Sequence, residues 1–224
     1  MNAVQEWCGA LLALPEEVWV EYARRREPLR GRVTPAEYRV FWDKATAEAQ
    51  ALAKQYPMAP RALAKTLGVQ VHEKPLPDGG FGRATYACFT EPDDIELYTD
   101  NVQLLAGLTQ AAGADALLEH ADVADILLAH ELYHALQLKN PDLYALQPHI
   151  RLWKVLGIEN RSRLVSLEEV SAMAFARQMT GLGYTPYVYD VLLMLPHWPE
   201  QARELYRSLL ELQAELAKKQ EDAV

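Results

Sequence analysis

Residues 130–134 read His-Glu-Leu-Tyr-His, inside the stretch ADVADILLAHELYHALQLKN. Asp122 suits an N-cap and Pro141 follows the far end, so the pattern predicts one helix over 122–139. Residues four apart stand one turn apart on the same helix face. His130 and His134 can therefore reach one ion at about 2.0–2.1 Å. Leu127, Tyr133 and Leu138 lie along the same apolar stripe. Two adjacent imidazoles beside a carboxylate are costly to bury there without a shared partner. The fold is constrained accordingly: a second element must bring a third ligand to this face and leave a position open for water. Glu131, next to the first histidine, can flank a metal without binding it and accept a proton from water.

The segment Ser166-Leu-Glu-Glu-Val-Ser-Ala-Met-Ala-Phe-Ala176 supplies the candidate element. Its small residues let a helix approach a neighbour closely, as a shared metal site requires. Glu168 and Glu169 both offer a carboxylate, and on a helix they point about 100° apart, so one of them is expected to face the metal.

The rest of the chain reads as a small sheet followed by many helices, an α+β arrangement that is mostly helical. Residues 3–26 are expected to be helical with a break near Pro15. Thr34-Pro35-Ala36-Glu37 is a capping box with proline in the first turn. The helix it starts carries an apolar face of Tyr38, Phe41, Trp42, Ala45, Ala49 and Leu52 and runs to about Tyr56. Together these predict a two-helix N-terminal element over 1–58, packed as one unit with a domain over 59–224. In that domain the pattern predicts a short helix over 60–67 and a strand over 69–72. A turn-rich loop follows over 75–82, then two strands over 83–89 and 95–99 joined as a hairpin. Further helices are expected over 101–112, 115–120, 149–156, 163–181 and 200–220.

The net charge of −9 argues against direct nucleic-acid binding, which needs lysine and arginine to displace phosphate counterions. No stretch approaches the roughly 18 apolar residues of a membrane span, and no membrane contact is expected. Two cysteines, Cys8 and Cys88, are too few for a disulfide framework; they read as buried apolar residues in a reducing compartment. The N-terminal residues do not resemble a secretory leader, so a cytoplasmic location is expected.

Three blocks resemble the ImmA/IrrE family of bacterial zinc metallopeptidases, a gluzincin-like group. They are Leu67-Gly-Val-Gln-Val-His-Glu73 with Pro75-Leu-Pro-Asp-Gly-Gly80, then Ile95-Glu-Leu-Tyr98, then the HELYH helix with the later EEVSAMAFA segment. The resemblance covers roughly residues 60–180. It implies a zincin-like fold with a small antiparallel-containing sheet and one zinc ion per chain. It also implies Glu169 rather than Glu168 as the third ligand, because Ala172, Phe175 and Ala176 fit the family's spacing after that glutamate. Tyr133 stands where the family often has glycine, and Met173 where it often has asparagine. The residues that orient the ligands are therefore not identified. The distance from His134 to Glu169 implies an insertion containing Pro141 and Pro148 near the site.

The expected activity is hydrolysis of peptide bonds by metal-activated water, with Glu131 as general base and the substrate beside the Ile95–Tyr98 strand. By resemblance, the substrate is a specific regulatory protein. The alternative is a non-catalytic, zinc-stabilised protein-binding module. Tyr133, His149, Tyr184, Tyr187 and His197 are candidates for stabilising the oxyanion, and Cys88 for a latent metal ligand. Oligomeric state is left open.

Overall fold

The computed structural model describes residues 3–75 and 86–222. Pro15 separates α1 (Ala3–Leu12) from α2 (Glu16–Arg26), and α3 spans Pro35–Lys54. The N-terminal element thus has three helices, not two. Thr34 caps α3 as the sequence predicts: its hydroxyl accepts the Glu37 N–H while the Glu37 carboxylate accepts the Thr34 N–H. Helix α4 (Pro60–Leu67) ends at Gly68, whose φ of 73° is left-handed and suits glycine.

The strands β1 (Gln70–Lys74), β2 (Ala87–Thr90) and β3 (Asp94–Tyr98) form one sheet in the order β1-β3-β2. β1 runs parallel to β3, and β2 runs antiparallel to it as the expected hairpin. Most of the predicted glycine loop and the start of the second strand, residues 76–85, lie outside the described residues. β3 is the central strand, so both its edges are already paired. The Tyr98 N–H donates to the Tyr86 carbonyl at 3.0 Å. By the alternation of an antiparallel ladder, Ala87 and Phe89 then turn their main-chain groups toward the outer edge.

Helix α5 (Thr99–Ala111) leads to residues 115–120, expected as helix but folded as successive turns. Gly113 ends α5 with a φ of 65°, and Glu119 and His120 are themselves left-handed. The Asp115 carboxylate bonds the His120 ring, one of the local side-chain contacts by which Asp competes with helical backbone. Helix α6 (Val123–Lys139) carries the HELYH residues, with the Asp122 side chain accepting the Ala124 and Asp125 N–H groups. Leu128, Ala129, Leu132, Tyr133, Ala135 and Leu136 are all buried, because α6 packs against β2, β3 and α4 as well as α7 (Ser166–Thr180).

Between α6 and α7 the segment expected as a helix over 149–156 is instead a β-hairpin, β4 (His149–Val155) and β5 (Ile158–Arg163). Leu156-Gly157 makes its two-residue turn with φ of 49° and 85°. The β-branched and aromatic residues Ile150, Trp153, Val155 and Ile158 favour strands. The chain ends in α8 (Tyr189–Leu192) and α9 (Pro199–Glu221).

Two apolar clusters fill the interior, and each draws on both sides of residue 58. One holds Trp19 and Trp42, each stacked on Tyr187 at 6.0 Å. The other holds Ile95, Leu97, Leu132, Tyr133 and Phe175. Ser171, Ala172, Ala174 and Ala176 let α7 settle between α3 and α6. Cys8 is buried, but Cys88 is exposed, contrary to expectation; both are free thiols. Among the described residues no helix is long and apolar enough to cross a membrane.

Helix α7 has no side-chain cap from its own N-cap residue, Val165. The cap comes from Glu27, fully buried just past α2, whose Oε2 accepts the Ser166 N–H at 2.9 Å and its hydroxyl at 2.8 Å. Glu27 Oε1 also accepts the Leu29 N–H. Removing this acceptor leaves buried donors unpaired, at about 1–3 kcal/mol each. Glu27→Ala is therefore expected to lower unfolding free energy by about 2–4 kcal/mol. Glu27→Gln, which keeps an acceptor oxygen, should be milder. Urea denaturation checks this, and a loss below about 1 kcal/mol for the alanine variant would show the cap to be dispensable.

Candidate metal centre

The turn of α6 between His130 and His134 places their Nε2 atoms 3.3 Å apart. Across the α6–α7 contact, Glu169 brings Oε2 to 3.3 Å from His130 Nε2 and Oε1 to 3.7 Å from His134 Nε2. One ligand atom from each residue lies within 4.8 Å of the others. Ligands about 2.0–2.1 Å from a tetrahedral centre are separated by roughly 3.3–3.4 Å; the imidazole pair and the His130–Glu169 contact have that spacing, and the His134–Glu169 contact is slightly wider. Two nitrogens and one oxygen are also a donor set suited to zinc.

Glu168 is turned away. Its nearest charged partner is Arg163, at 3.9 Å, and it is not in the cluster. The structure brings Glu169 to the histidines, in line with the register taken from the resemblance.

An orienting residue is also visible. The Nδ1 of His134 lies 3.2 Å from Gln137 Oε1. With Nδ1–H donating to that oxygen, the Nε2 lone pair is free to face a metal. Gln137 lies one turn along α6 on the same face, a spacing the sequence contained although its meaning was not apparent there.

The electrostatics favour a carboxylate paired with imidazoles. Burial is the largest influence on His130 and opposes its charge. The hydrogen bond to Glu169 and the carboxylates of Glu131, Glu169 and Asp190 outweigh it, so its pKa is raised from 6.5. For Glu169 burial is again the largest influence and acts upward. His130's hydrogen bond and the charges of His130, His134 and Arg26 prevail and bring it down to about 2. Its side chain is 58% exposed to the cleft although protein surrounds it at longer range, so water screens part of this pairing.

Glu131 lines the same cleft as the two histidines and reaches the sheet. Its Oε2 accepts the Phe89 N–H at 2.8 Å, one of the outward-facing groups of β2. The strand bordering the site is therefore β2. The expected substrate position beside Ile95–Tyr98 is corrected by the strand order, because the central β3 has no free edge.

A cleft of 580 Å³ opens over these groups. Ile126, Leu127 and Leu193 give it an apolar side, and Met173 lines it where the resemblance leads one to look for an asparagine. Sequence reasoning missed Asp190. It also lines the cleft, accepts the Tyr22 hydroxyl at 2.7 Å and lies 3.9 Å from Arg26. Burial pushes its pKa up, against the effects of Tyr22, Arg26 and His130. Its sequence context, Tyr-Val-Tyr-Asp, carries no motif, and its partners lie on α2, far away in the chain.

None of the five residues considered for oxyanion stabilisation lines the cleft. Tyr133 is buried against Phe175, with ring centroids 5.7 Å apart. Tyr187 is stacked in the aromatic core. The Tyr184 hydroxyl bonds the Leu118 carbonyl and Tyr189. His149 is exposed at the start of β4, with Nδ1 against the Gln147 carbonyl, and His197 is exposed beside Trp198. Tyr86 and Tyr189 are the tyrosines on the cleft wall, and Cys88 lies there too. The insertion around Pro141 and Pro148 supplies no residue to the cleft.

No protein-family model, no curated protein and no solved structure matches this chain.

The geometry assigns different outcomes to the two glutamates. Glu169→Ala should lower zinc affinity sharply, while Glu168→Ala should change it less than about tenfold. Chelator competition measures both, and the reverse order would move the third ligand by one residue. The same assay has an expected pH profile. A metal must displace the proton of His130, so apparent affinity should fall as pH drops through that raised pKa, by up to about tenfold per unit. Glu169 should add no dependence above about pH 2. A flat profile from about pH 8 to 5 would remove His130 from the ligand set.

Proposed function

We propose that this chain is a zinc-dependent peptidase, a zincin-like enzyme of the ImmA/IrrE type, acting on an extended segment of a protein substrate. The observation that carries the reading is a conjunction. His130, His134 and Glu169 converge from two helices, and the intervening Glu131 is fixed against the edge strand of the same cleft. A zinc ion held by the three ligands, one per chain, would supply Lewis acidity that polarises a peptide carbonyl and makes water acidic enough to ionise near neutral pH.

The chain's own groups account for the other requirements. Glu131 is the general base: Phe89 holds its Oε2, which leaves Oε1 to accept the proton of the attacking water and return it to the leaving amine. The outer edge of β2 offers the Ala87 N–H and carbonyl and the Phe89 carbonyl for pairing with a substrate strand, the Phe89 N–H being held by Glu131. Ile126, Leu127 and Leu193 provide an apolar surface for a substrate side chain. Gln137 holds the His134 ring, and the cap on α7 holds Glu169 in place. The free cysteines fit a cytoplasmic setting, and the acidic chain suits a protein rather than a nucleic-acid substrate.

One observation favours a second reading, the zinc-stabilised binding module. The bond from Phe89 gives Glu131 a structural role, so its presence does not by itself require catalysis. Glu131→Gln separates the two. The amide oxygen can still accept the Phe89 N–H, so zinc content and thermal stability should stay near wild type. Hydrolysis should fall by roughly 10²–10⁴-fold. The readout is mass spectrometry of new termini in a mixture of peptides incubated with zinc-loaded protein. No new termini from the wild-type protein would leave the binding module standing, and loss of zinc in the variant would mean that Glu131 has been given the wrong role.

A further inference from the structure

The β4–β5 hairpin stands apart from both apolar clusters at its distal end. Trp153, Val155, Leu156 and Ile158 are all exposed and belong to neither cluster. Val155 pairs with Ile158, and Trp153 with Asn160 two positions back, so Trp153, Val155 and Ile158 share one face. Leu156 forms the apex and is 98% exposed. It also adopts a φ of 49°, a region that disfavours leucine and suits glycine or asparagine. A residue that is both solvent-exposed against its hydropathy and left-handed against its backbone preference breaks two local rules at one position. Such violations concentrate at functional elements.

The stem carries the opposite chemistry. Arg151 and Lys154 lie on β4, Arg161 and Arg163 on β5, against the single anion Glu159. Glu159 is within 3.9 Å of Arg151, 2.8 Å of Lys154 and 2.9 Å of Arg161. Four cations against one anion form a basic segment in a chain whose net charge is −9, so the rest of the molecule is more acidic still.

We propose that this hairpin docks the protein on an anionic lipid surface, apex first. An exposed apolar tip joined to a basic face in an otherwise acidic chain decides for this occupant. Strands rise about 3.3–3.4 Å per residue, which sets Trp153 roughly 10 Å and Arg151 roughly 17 Å behind Leu156. Apolar side chains at the tip and on the Trp153 face, the Lys154–Glu159 pair roughly 7 Å back on the other face, and the guanidinium groups farther along the stem fit a shallow interfacial insertion of about 5–10 Å. Lys154 pairs with Glu159 and Arg151 with Arg161, so the four cations share the face opposite Trp153, Val155 and Ile158. A basic face backed by an exposed apolar one, on a hairpin of an otherwise acidic chain, complements a surface that is anionic outside and apolar beneath. Each cation held near such a surface strengthens binding by about fivefold. The acidic remainder is repelled, which confines contact to the hairpin. The proposal departs from the sequence expectation of no membrane contact and does not rest on the peptidase reading.

Flotation of the full chain with vesicles tests it. Binding is expected to vesicles of phosphatidylcholine with about 30% phosphatidylglycerol, to weaken as salt is raised, and to be absent with phosphatidylcholine alone. Leu156→Asn suits the left-handed turn, so it should keep the fold while weakening partition by about tenfold or more. Ile158→Thr, which keeps strand propensity, should weaken it in the same direction. Absence of anionic-vesicle binding, equal binding to neutral vesicles, or binding indifferent to both substitutions would overturn the proposal. So would self-association that these substitutions abolish without any vesicle binding, which would assign the tip to a second copy of the chain.

Discussion

The hydrogen bonds from Ser166 to the buried Glu27 carboxylate anchor the structure around the candidate site. Without them the first turn of α7 would have no side-chain cap, and that turn carries Glu168 and Glu169. The Tyr38 hydroxyl lies 2.8 Å from Ser166 Oγ and ties α3 into the same knot. Two N-terminal elements, the end of α2 and α3, thus set the start of α7, while the small residues along it set how closely it approaches α6. The separation between Glu169 and the two histidines follows from both. The N-terminal helices are therefore part of the scaffold that positions the site, although they contribute no residue to the proposed ligand set.

The parts of this arrangement legible in the sequence were those with local causes. Thr34 and Glu37 announce α3, Asp122 announces α6, and the four-residue spacing of His130 and His134 follows from helix geometry. The closeness of α7 was readable from its alanines and serine. The β4–β5 hairpin was not, because its turn is Leu156-Gly157 and lacks the Asn-Gly or Asp-Gly that usually marks such a loop. Residues 115–120 have helix-forming alanine and leucine, but Gly113 and the Asp115–His120 contact redirect the backbone. Asp190 was invisible because its environment is assembled from α2 and α8, and the edge role of β2 because strand order is a tertiary fact.

The distribution of burial along α6 explains a further limit of sequence reading. A helix covered by the sheet on one side and by α7 on another has little polar face to display. Its periodicity consequently indicates a helix without indicating which side faces the site. The histidines and Glu131 show the direction, since they are the polar groups along that stretch with tertiary partners at the cleft.

The bond between Glu131 and Phe89 has a consequence for colloidal behaviour. An unpaired strand edge can template pairing with another chain, and proteins blunt such edges with charge or brevity. β2 has only four residues, and one of its outward N–H groups is already engaged by a carboxylate. A short edge with a negative charge beside it resists accretion of further strands. Any segment that does lie along β2 must fit within that brief, guarded stretch, which disfavours runaway assembly while leaving room for a single guest.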